Sequence, residues 1–264
     1  MMVGRGQSAY HHLANSTSSW LAPKQARQLL SLGEIYTLVK VICLVLTRNL
    51  PRRAGVVGLS CALKLQSIIA EQSSSWQVVI ASKEWPTSIP GVPQSHSVDY
   101  ASMWAGAHVR PIPATSPQLR REAIRLKQTV AVFARMLKED PSCGITQTRG
   151  VEYIDAPTDD YKGHSPETFE AQTGLPEFRE LDLWELPDGV AFGFEYQTFC
   201  INSPVYCGNL LRKFVLKGGQ TVQSDFKSEW EPFSLFDNVK LVVNASGTGF
   251  HDPRCFPTPG MFDT

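Results

Sequence analysis

The sequence predicts an α/β protein with a largely parallel sheet, and three observations support this class. Strand-like and helix-like stretches alternate along most of the chain. Residues 76–81 form a short, continuous apolar run, as expected of a strand buried on both faces. A stretch that contains two glycines, residues 53–58, leads directly into an apolar helix.

The individual elements follow from apolar spacing and from capping residues. Helices are predicted over residues 59–71, from Ser116 with Pro117 in the first turn until Pro141, and from Ser203 with Pro204 until Gly218. Strands are predicted at residues 76–81, 150–155, 190–196, 221–222 and 238–244. The strand predictions depend on short apolar runs or on alternation of apolar and polar residues.

Composition excludes several classes of function. The 264 residues include 25 Lys+Arg and 25 Asp+Glu, and this balance argues against nucleic acid as the main partner. The six cysteines have no C-x-x-C spacing, which indicates reduced thiols rather than a disulfide framework or a zinc site. The histidines also lack metal-ligand spacing, so no metal site is predicted.

Residues 1–53 differ from the rest of the chain. They are predicted to be an unassigned, poorly ordered leader, because polar residues dominate the first twenty positions. The apolar run 35–46 is shorter than the roughly 20 residues of a membrane span, so no membrane contact is expected. The final three residues match no peroxisomal signal, and the cytoplasm is the expected compartment.

Residues 53–58 have the spacing of a dinucleotide fingerprint, G-x-G-x-x-G, with its first glycine replaced by Arg53. Gly55 can let the backbone approach a pyrophosphate, and Gly58 can let the helix pack on a strand. The helix that follows offers its N-terminal N–H groups to phosphate. Arg53 counts against the motif, since the turn favours a residue without Cβ. Spacing alone also allows a helix that merely begins after a glycine.

The predicted strand at residues 76–81 is followed by Lys83 and Glu84. An acidic side chain at this position can accept hydrogen bonds from ribose hydroxyls. A solvated glutamate at the end of a strand fits the spacing equally well.

Three longer stretches carry a family resemblance. They are residues 100–107 (YASMWAGA), residues 194–211 and residues 241–247 (LVVNASG). In this order, and together with the fingerprint, they make residues 54–257 similar to the D-amino-acid oxidase family. The family fold implied is a Rossmann-like FAD-binding domain with a largely parallel sheet, interleaved with part of a mixed or antiparallel substrate domain. The FAD-binding domain is then expected over 54–264, with a partial substrate segment inserted at 144–200.

The resemblance implies FAD as cofactor, and it places fourteen residues near the cofactor. These are Ala54, Gly55, Val56, Val57, Gly58, Lys83, Glu84, Ser97, Ala105, Gly106, Ala107, Phe226, Ser246 and Gly247. Small residues in the 100–107 stretch let backbone N–H groups approach the pyrophosphate and the ring system. Phe226 corresponds to an aliphatic residue over the adenine.

The activity implied is oxidation of a D-amino acid to an imino acid, which hydrolyses to a keto acid and ammonia, while oxygen becomes hydrogen peroxide. In the family, the arginine that binds the substrate carboxylate follows the stretch that this sequence resembles. No catalytic residue is therefore identified, Arg110 is expected to be a surface or packing residue, and little or no turnover is expected. Two alternatives remain open: a non-catalytic remnant and a nicotinamide-dependent Rossmann dehydrogenase. The preferred D-amino acid and the oligomeric state are left open.

Overall fold

The computed structural model describes residues 40–44, 54–72, 76–86, 96–97, 100–111, 114–228, 230–234 and 239–245. These residues divide into two compact units. The first unit draws on residues 1–103 and 210–264, and the second comprises residues 104–209. A parallel sheet in the first unit and an antiparallel sheet in the second confirm the predicted α/β class.

Eight strands and five α-helices are assigned in the described residues. The strands are β1 (Lys40–Leu44), β2 (Gln77–Ser82), β3 (Gly106–His108), β4 (Ile145–Ile154), β5 (Arg179–Glu180), β6 (Phe192–Asn202), β7 (Gln220–Gln223) and β8 (Val239–Asn244). The helices are α1 (Val56–Glu71), α2 (Ala101–Trp104), α3 (Pro117–Glu139), α4 (Pro166–Thr173) and α5 (Ser203–Leu216).

The first unit is built on a four-stranded parallel sheet in the order β7-β2-β1-β8. Helix α1 packs on β2 and β1 through a buried stripe. The members of this stripe are Gly58, Leu59, Ala62, Leu65, Ile68 and Ile69. Their spacing of three and four residues gives the single apolar face that a helix on a sheet requires.

Strand β1 corrects the leader prediction at residues 40–44, and the rest of residues 1–53 lies outside the described residues. Residues 40–44 of this presumed leader form a strand that pairs in parallel with both β2 and β8. The sequence KVICL lies within the apolar run 35–46, which is too short for a membrane span. A run of about five residues that is rich in β-branched side chains is nevertheless typical of a buried parallel strand.

The second unit contains an antiparallel sheet in the order β3-β6-β4, with β5 also paired to β6. Aromatic side chains fill its core, including Phe169, Phe178, Phe194 and Tyr196, whose ring centroids lie 4.6–5.8 Å apart. Helix α3 packs against α4 and β4. This unit contains the predicted inserted segment 144–200 and extends beyond it at both ends.

The predicted helices are confirmed, with α1 beginning three residues earlier than expected. At the start of α3, the Ser116 hydroxyl accepts a hydrogen bond from the Leu119 N–H at 3.1 Å, as the N-cap prediction requires. The predicted strands are also present, and β4 and β6 are several residues longer than their apolar patterns indicated. Helices α2 and α4 and strands β3 and β5 were not predicted.

Candidate cofactor-binding site

The order of strands in the parallel sheet reverses at β1. From β1 the chain adds β2 and then β7 on one side, and later adds β8 on the other side. Leu44 and Asn244, the last residues of β1 and β8, are partners in register, so these carboxyl ends lie side by side. Open parallel sheets bind ligands outside the carboxyl ends of their strands at such a point. This edge of the sheet is the candidate site.

The fingerprint residues form the N-terminal turn of α1. Gly55 is the N-cap residue, with φ −76°, ψ 169° and no side-chain cap of its own. The Val56 N–H donates to Ser102 Oγ at 3.1 Å. The N–H groups of Val57 and Gly58 have no acceptor within the helix, because first-turn donors have no preceding carbonyl to bind. Together with the positive end of the helix dipole, these groups favour an anion.

Neighbouring segments hold the turn closely. A Cβ atom on Gly55 would lie 2.9 Å from Ser102 Oγ, so a larger residue requires that side chain to move. Ala54 is fully buried. Its N–H donates to the Glu84 carbonyl at 2.8 Å, and its carbonyl accepts from Tyr100 Oη at 2.7 Å.

The remaining fingerprint residues differ in exposure. Gly58 is buried with the apolar stripe of α1, whereas Val57 is partly exposed to solvent. Arg53, which replaces the first glycine, lies outside the described residues. Ser246 and Gly247, predicted to contact the cofactor after β8, also lie outside them.

Lys83 and Glu84 follow β2 and reach the same edge of the sheet as the turn. Glu84 Oε2 accepts a hydrogen bond from Ser97 Oγ at 3.0 Å. Lys83 Nζ lies 3.3 Å from Asp225 Oδ2, and both side chains are about half exposed. The structure therefore brings Glu84 into contact with Ala54 through a backbone hydrogen bond, and brings Ser97 into contact with the Glu84 carboxylate.

Phe226 is a core residue of the first unit. Its side chain is 4% exposed and packs in a cluster with Val79, Ala81 and Val239. These neighbours belong to strands of the parallel sheet, and the place of Phe226 over an adenine, which the resemblance implies, stays a prediction.

The small residues Ala105, Gly106 and Ala107 belong to the second unit. The sequence indicated a loop, but Gly106 and Ala107 lie in β3 and pair with β6. Ser203 Oγ donates to the Ala105 carbonyl at 2.9 Å and holds the start of this strand. A Cβ atom on Gly106 would meet no heavy atom within 4 Å, so open space lies beside this backbone.

Sequence reasoning missed several residues at the edge of the parallel sheet. Tyr100 and Ser102 bind the turn through their hydroxyl groups, although only the small residues of their stretch were interpreted. Gln223 Nε2 donates to the Lys83 carbonyl at 2.7 Å, and Asp225 pairs with the Lys83 side chain. Gln223 and Asp225 could have been predicted from the sequence, because they lie at the end of a predicted strand. The carboxyl ends of parallel strands meet at the same edge of a sheet.

The second unit contains a charged cluster around Glu152, a buried carboxylate. Arg110 donates to both of its oxygens, with Nε 2.9 Å from Oε1, and Tyr196 Oη donates to Oε1 at 2.9 Å. The hydrogen bond to Glu152 raises the pKa of Arg110, and burial raises the pKa of the Tyr196 phenol. Arg110 therefore forms an ion pair with Glu152 while its side chain remains largely exposed, and its expected role as a surface or packing residue stays a prediction.

The structure gives free thiols at Cys61, Cys143, Cys200 and Cys207. Burial raises the pKa of the Cys207 thiol to about 12, so this group is protonated near neutral pH. Among the described residues, no group of three or more potential metal ligands is found. Within the same residues, every helix is too short or too polar to span a membrane.

No protein-family model matches the chain, but comparison of its sequence with curated proteins identifies several similar oxidases. A D-aspartate oxidase from Talaromyces thermophilus is 37% identical over 206 residues, which are 75% of this chain and 55% of that protein. D-amino-acid oxidases from Schizosaccharomyces pombe and Fusarium vanettenii are 25% and 26% identical, over 78% and 74% of this chain. The chain is a relative of the D-amino-acid oxidases. The resemblance predicted from its motifs is confirmed.

The chain spans about half the length of these curated relatives, namely 55%, 56% and 52%. Solved structures give a weaker likeness. Glycine oxidase from Bacillus cereus is 17% identical with a TM-score of 0.37, covering 70% of this chain and 45% of that one. Iminodiacetate oxidase from Chelativorans sp. is 15% identical with a TM-score of 0.38, covering 69% and 46%. The relationship to the D-amino-acid oxidases rests on sequence, not on these two structures.

Proposed function

We propose that this chain is the FAD-binding part of an oxidase that acts on D-amino acids. The observation that carries the proposal is the fingerprint turn beside the point where the parallel strands reverse order. The sequence relationship to a D-aspartate oxidase supports it independently. Free thiols suit a reducing compartment, and we place the protein in the cytoplasm.

The residues present fit the proposed cofactor. The first turn of α1 offers the N–H groups of Val57 and Gly58 to a pyrophosphate. The carboxylate of Glu84, held by Ser97 and close to this turn through Ala54, suits ribose hydroxyls. The remaining predicted contacts retain their proposed roles: Gly55, Val56, Lys83, Ala105, Gly106, Ala107, Phe226, Ser246 and Gly247.

When bound, the flavin supplies the acceptor for the two electrons and the hydrogen that leave the substrate Cα. The residues of this chain bind and orient that cofactor. The substrate, a D-amino acid, and oxygen are proposed partners. Because the relative that is 37% identical to this chain is a D-aspartate oxidase, an acidic D-amino acid is the first substrate to test.

The test is titration of the purified 264-residue polypeptide with FAD, followed by flavin absorption and fluorescence. We expect a bound flavin spectrum and no comparable response to a nicotinamide dinucleotide. Gly106→Val should weaken FAD binding without unfolding the protein, because the added side chain enters open space. Ala156→Val, at another exposed position of the second unit, is the control.

Absence of FAD binding would contradict the proposal. Binding of a nicotinamide dinucleotide instead would favour a dehydrogenase. If FAD binds and Gly106→Val leaves its affinity unchanged, the Ala105–Ala107 backbone does not contact the cofactor.

A further inference from the structure

A closed circuit of four hydrogen bonds joins the fingerprint turn to the carboxylate that follows β2. The Ala54 N–H donates to the Glu84 carbonyl at 2.8 Å, and Ser97 Oγ donates to Glu84 Oε2 at 3.0 Å. The Tyr100 N–H donates to the Ser97 carbonyl at 3.0 Å. Tyr100 Oη closes the circuit by donating to the Ala54 carbonyl at 2.7 Å.

The circuit matters because the turn does not follow β1 directly. Residues 45–55 separate the end of β1 from the start of α1, whereas a dinucleotide fingerprint normally follows its strand immediately. Among the described residues, Glu84 and Tyr100 bind the backbone of Ala54. Ser102 adds a further attachment by accepting from the Val56 N–H.

From this geometry we propose that Tyr100 is a positioning residue, which couples the phosphate-binding turn to the ribose-binding carboxylate of Glu84. The proposal rests on the proposed FAD site. Tyr100 is 1% exposed, and its ring also lies edge-on to His96 with centroids 5.3 Å apart, so packing restricts the ring that carries the hydroxyl. A buried hydroxyl held in this way orients the carbonyl it binds.

Coupling between the turn and the Glu84 carboxylate affects FAD affinity in a way that packing of Tyr100 alone does not. If Tyr100 fixes both the turn and the Ser97–Glu84 contact, its loss displaces two groups that bind different parts of FAD. The effects of Tyr100→Phe and Glu84→Gln on FAD affinity are then non-additive, because each variant already removes part of what the other would lose. A residue that only stabilises the fold gives additive effects on affinity.

The experiment measures the Kd for FAD of the wild type, Tyr100→Phe, Glu84→Gln and the double variant, at a temperature where circular dichroism shows all four folded. Phenylalanine keeps the ring and removes only the hydroxyl. We expect Tyr100→Phe to raise Kd about tenfold, the factor that corresponds to about 1.4 kcal/mol. We expect the double variant to bind several-fold more tightly than the product of the single effects indicates.

Tyr196→Phe is the matched control, since Tyr196 is also 1% exposed and its hydroxyl also donates one hydrogen bond, to Glu152 in the second unit. It should lower stability and leave Kd for FAD unchanged. If Tyr100→Phe does not fold, Ser97→Ala opens the circuit at another bond and should give the same non-additivity with Glu84→Gln.

An unchanged Kd in Tyr100→Phe, or strictly additive effects, would overturn the positioning role and leave the FAD site intact. If the wild type binds no FAD, the proposed function itself is wrong, and the positioning role is overturned with it.

Discussion

At the scale of single residues, the buried carboxylate of Glu152 determines the cost of losing Arg110. Arg110→Ala leaves that carboxylate with only the Tyr196 hydroxyl of its two described partners. A buried charged acceptor that loses its partner costs about 1–3 kcal/mol. We expect the free energy of unfolding, measured with urea, to fall by this amount.

Arg135→Ala is the control for Arg110→Ala. The two arginine side chains have nearly equal exposure, 67% and 64%, but Arg135 pairs with the exposed Glu139 at 3.9 Å, one helical turn away. Such a pair contributes about 0.5 kcal/mol or less. Equal losses in both variants would mean that the burial of Glu152 does not set the cost.

A second residue-scale prediction concerns stability in acid. Two hydrogen bonds from Arg179, at 2.7 and 3.0 Å, lower the pKa of Glu185 from 4.5 to about 2. A carboxyl whose pKa is lower in the folded state stabilises it above the unfolded pKa, and this contribution disappears as the pH falls toward the folded pKa. The wild type should therefore lose stability between about pH 4.5 and about pH 2.

Arg179→Gln should make this loss shallower, and Arg135→Gln should not alter it. The midpoint of urea unfolding, measured at a series of pH values, gives the change in stability with pH. Arg179 also lowers the pKa of Glu195, so the variant removes acid sensitivity at two carboxylates. Parallel curves for the wild type and Arg179→Gln would show that these ion pairs do not link pH to folding.

At the scale of secondary structure, β1 is expected to be essential for the first unit. Proline at Ile42 removes a backbone donor from a strand with partners on both sides. We expect Ile42→Pro to abolish the folding of this unit, measured by circular dichroism and by loss of FAD binding. Gln220→Pro, at the first residue of an edge strand, should be tolerated far better. Equal tolerance would contradict the position of β1 between β2 and β8.

The sequence predicted best those elements that carry strong local signals. Ser116 and Pro117 fixed the start of α3, and the apolar spacing of α1 fixed its buried face. Strand β1 was missed because its short apolar run lies among residues with no readable pattern, and neither a capping residue nor alternation marks its ends. Strand β3 was missed because Gly106 and Ala107 have low strand propensity, and pairing with β6 overrides that propensity.

The candidate site was predicted only in part from the sequence, for a related reason. Gly55 and Glu84 follow from local spacing, and the structure joins them through Ala54. The contribution of Tyr100 depends on a contact across 46 positions of the chain, which no local pattern reveals. Phe226 was assigned by correspondence with the family, whereas its burial depends on neighbours from several strands.

At the scale of the whole molecule, the matched length of the relatives leads to a prediction about turnover. The stretch shared with the D-aspartate oxidase covers 55% of that protein. The resemblance to the D-amino-acid oxidases implies an arginine that binds the substrate carboxylate, expected after this stretch. Correct orientation of a substrate can account for about 7–11 kcal/mol of a reaction barrier. We therefore expect the 264-residue polypeptide to bind FAD and to release almost no peroxide.

The assay supplies D-aspartate, D-alanine or D-proline to the polypeptide in the presence of excess FAD and measures hydrogen peroxide. Gly106→Val, expected to bind FAD weakly, gives the background that arises from free flavin. The wild type should not exceed this background, because orientation of the substrate Cα requires a partner for its carboxylate. Turnover of about 1–10³ per second, the range of ordinary enzymes, would mean that residues before Thr264 bind the carboxylate. Arg110 would then be the first candidate, since its side chain is 64% exposed while it binds Glu152.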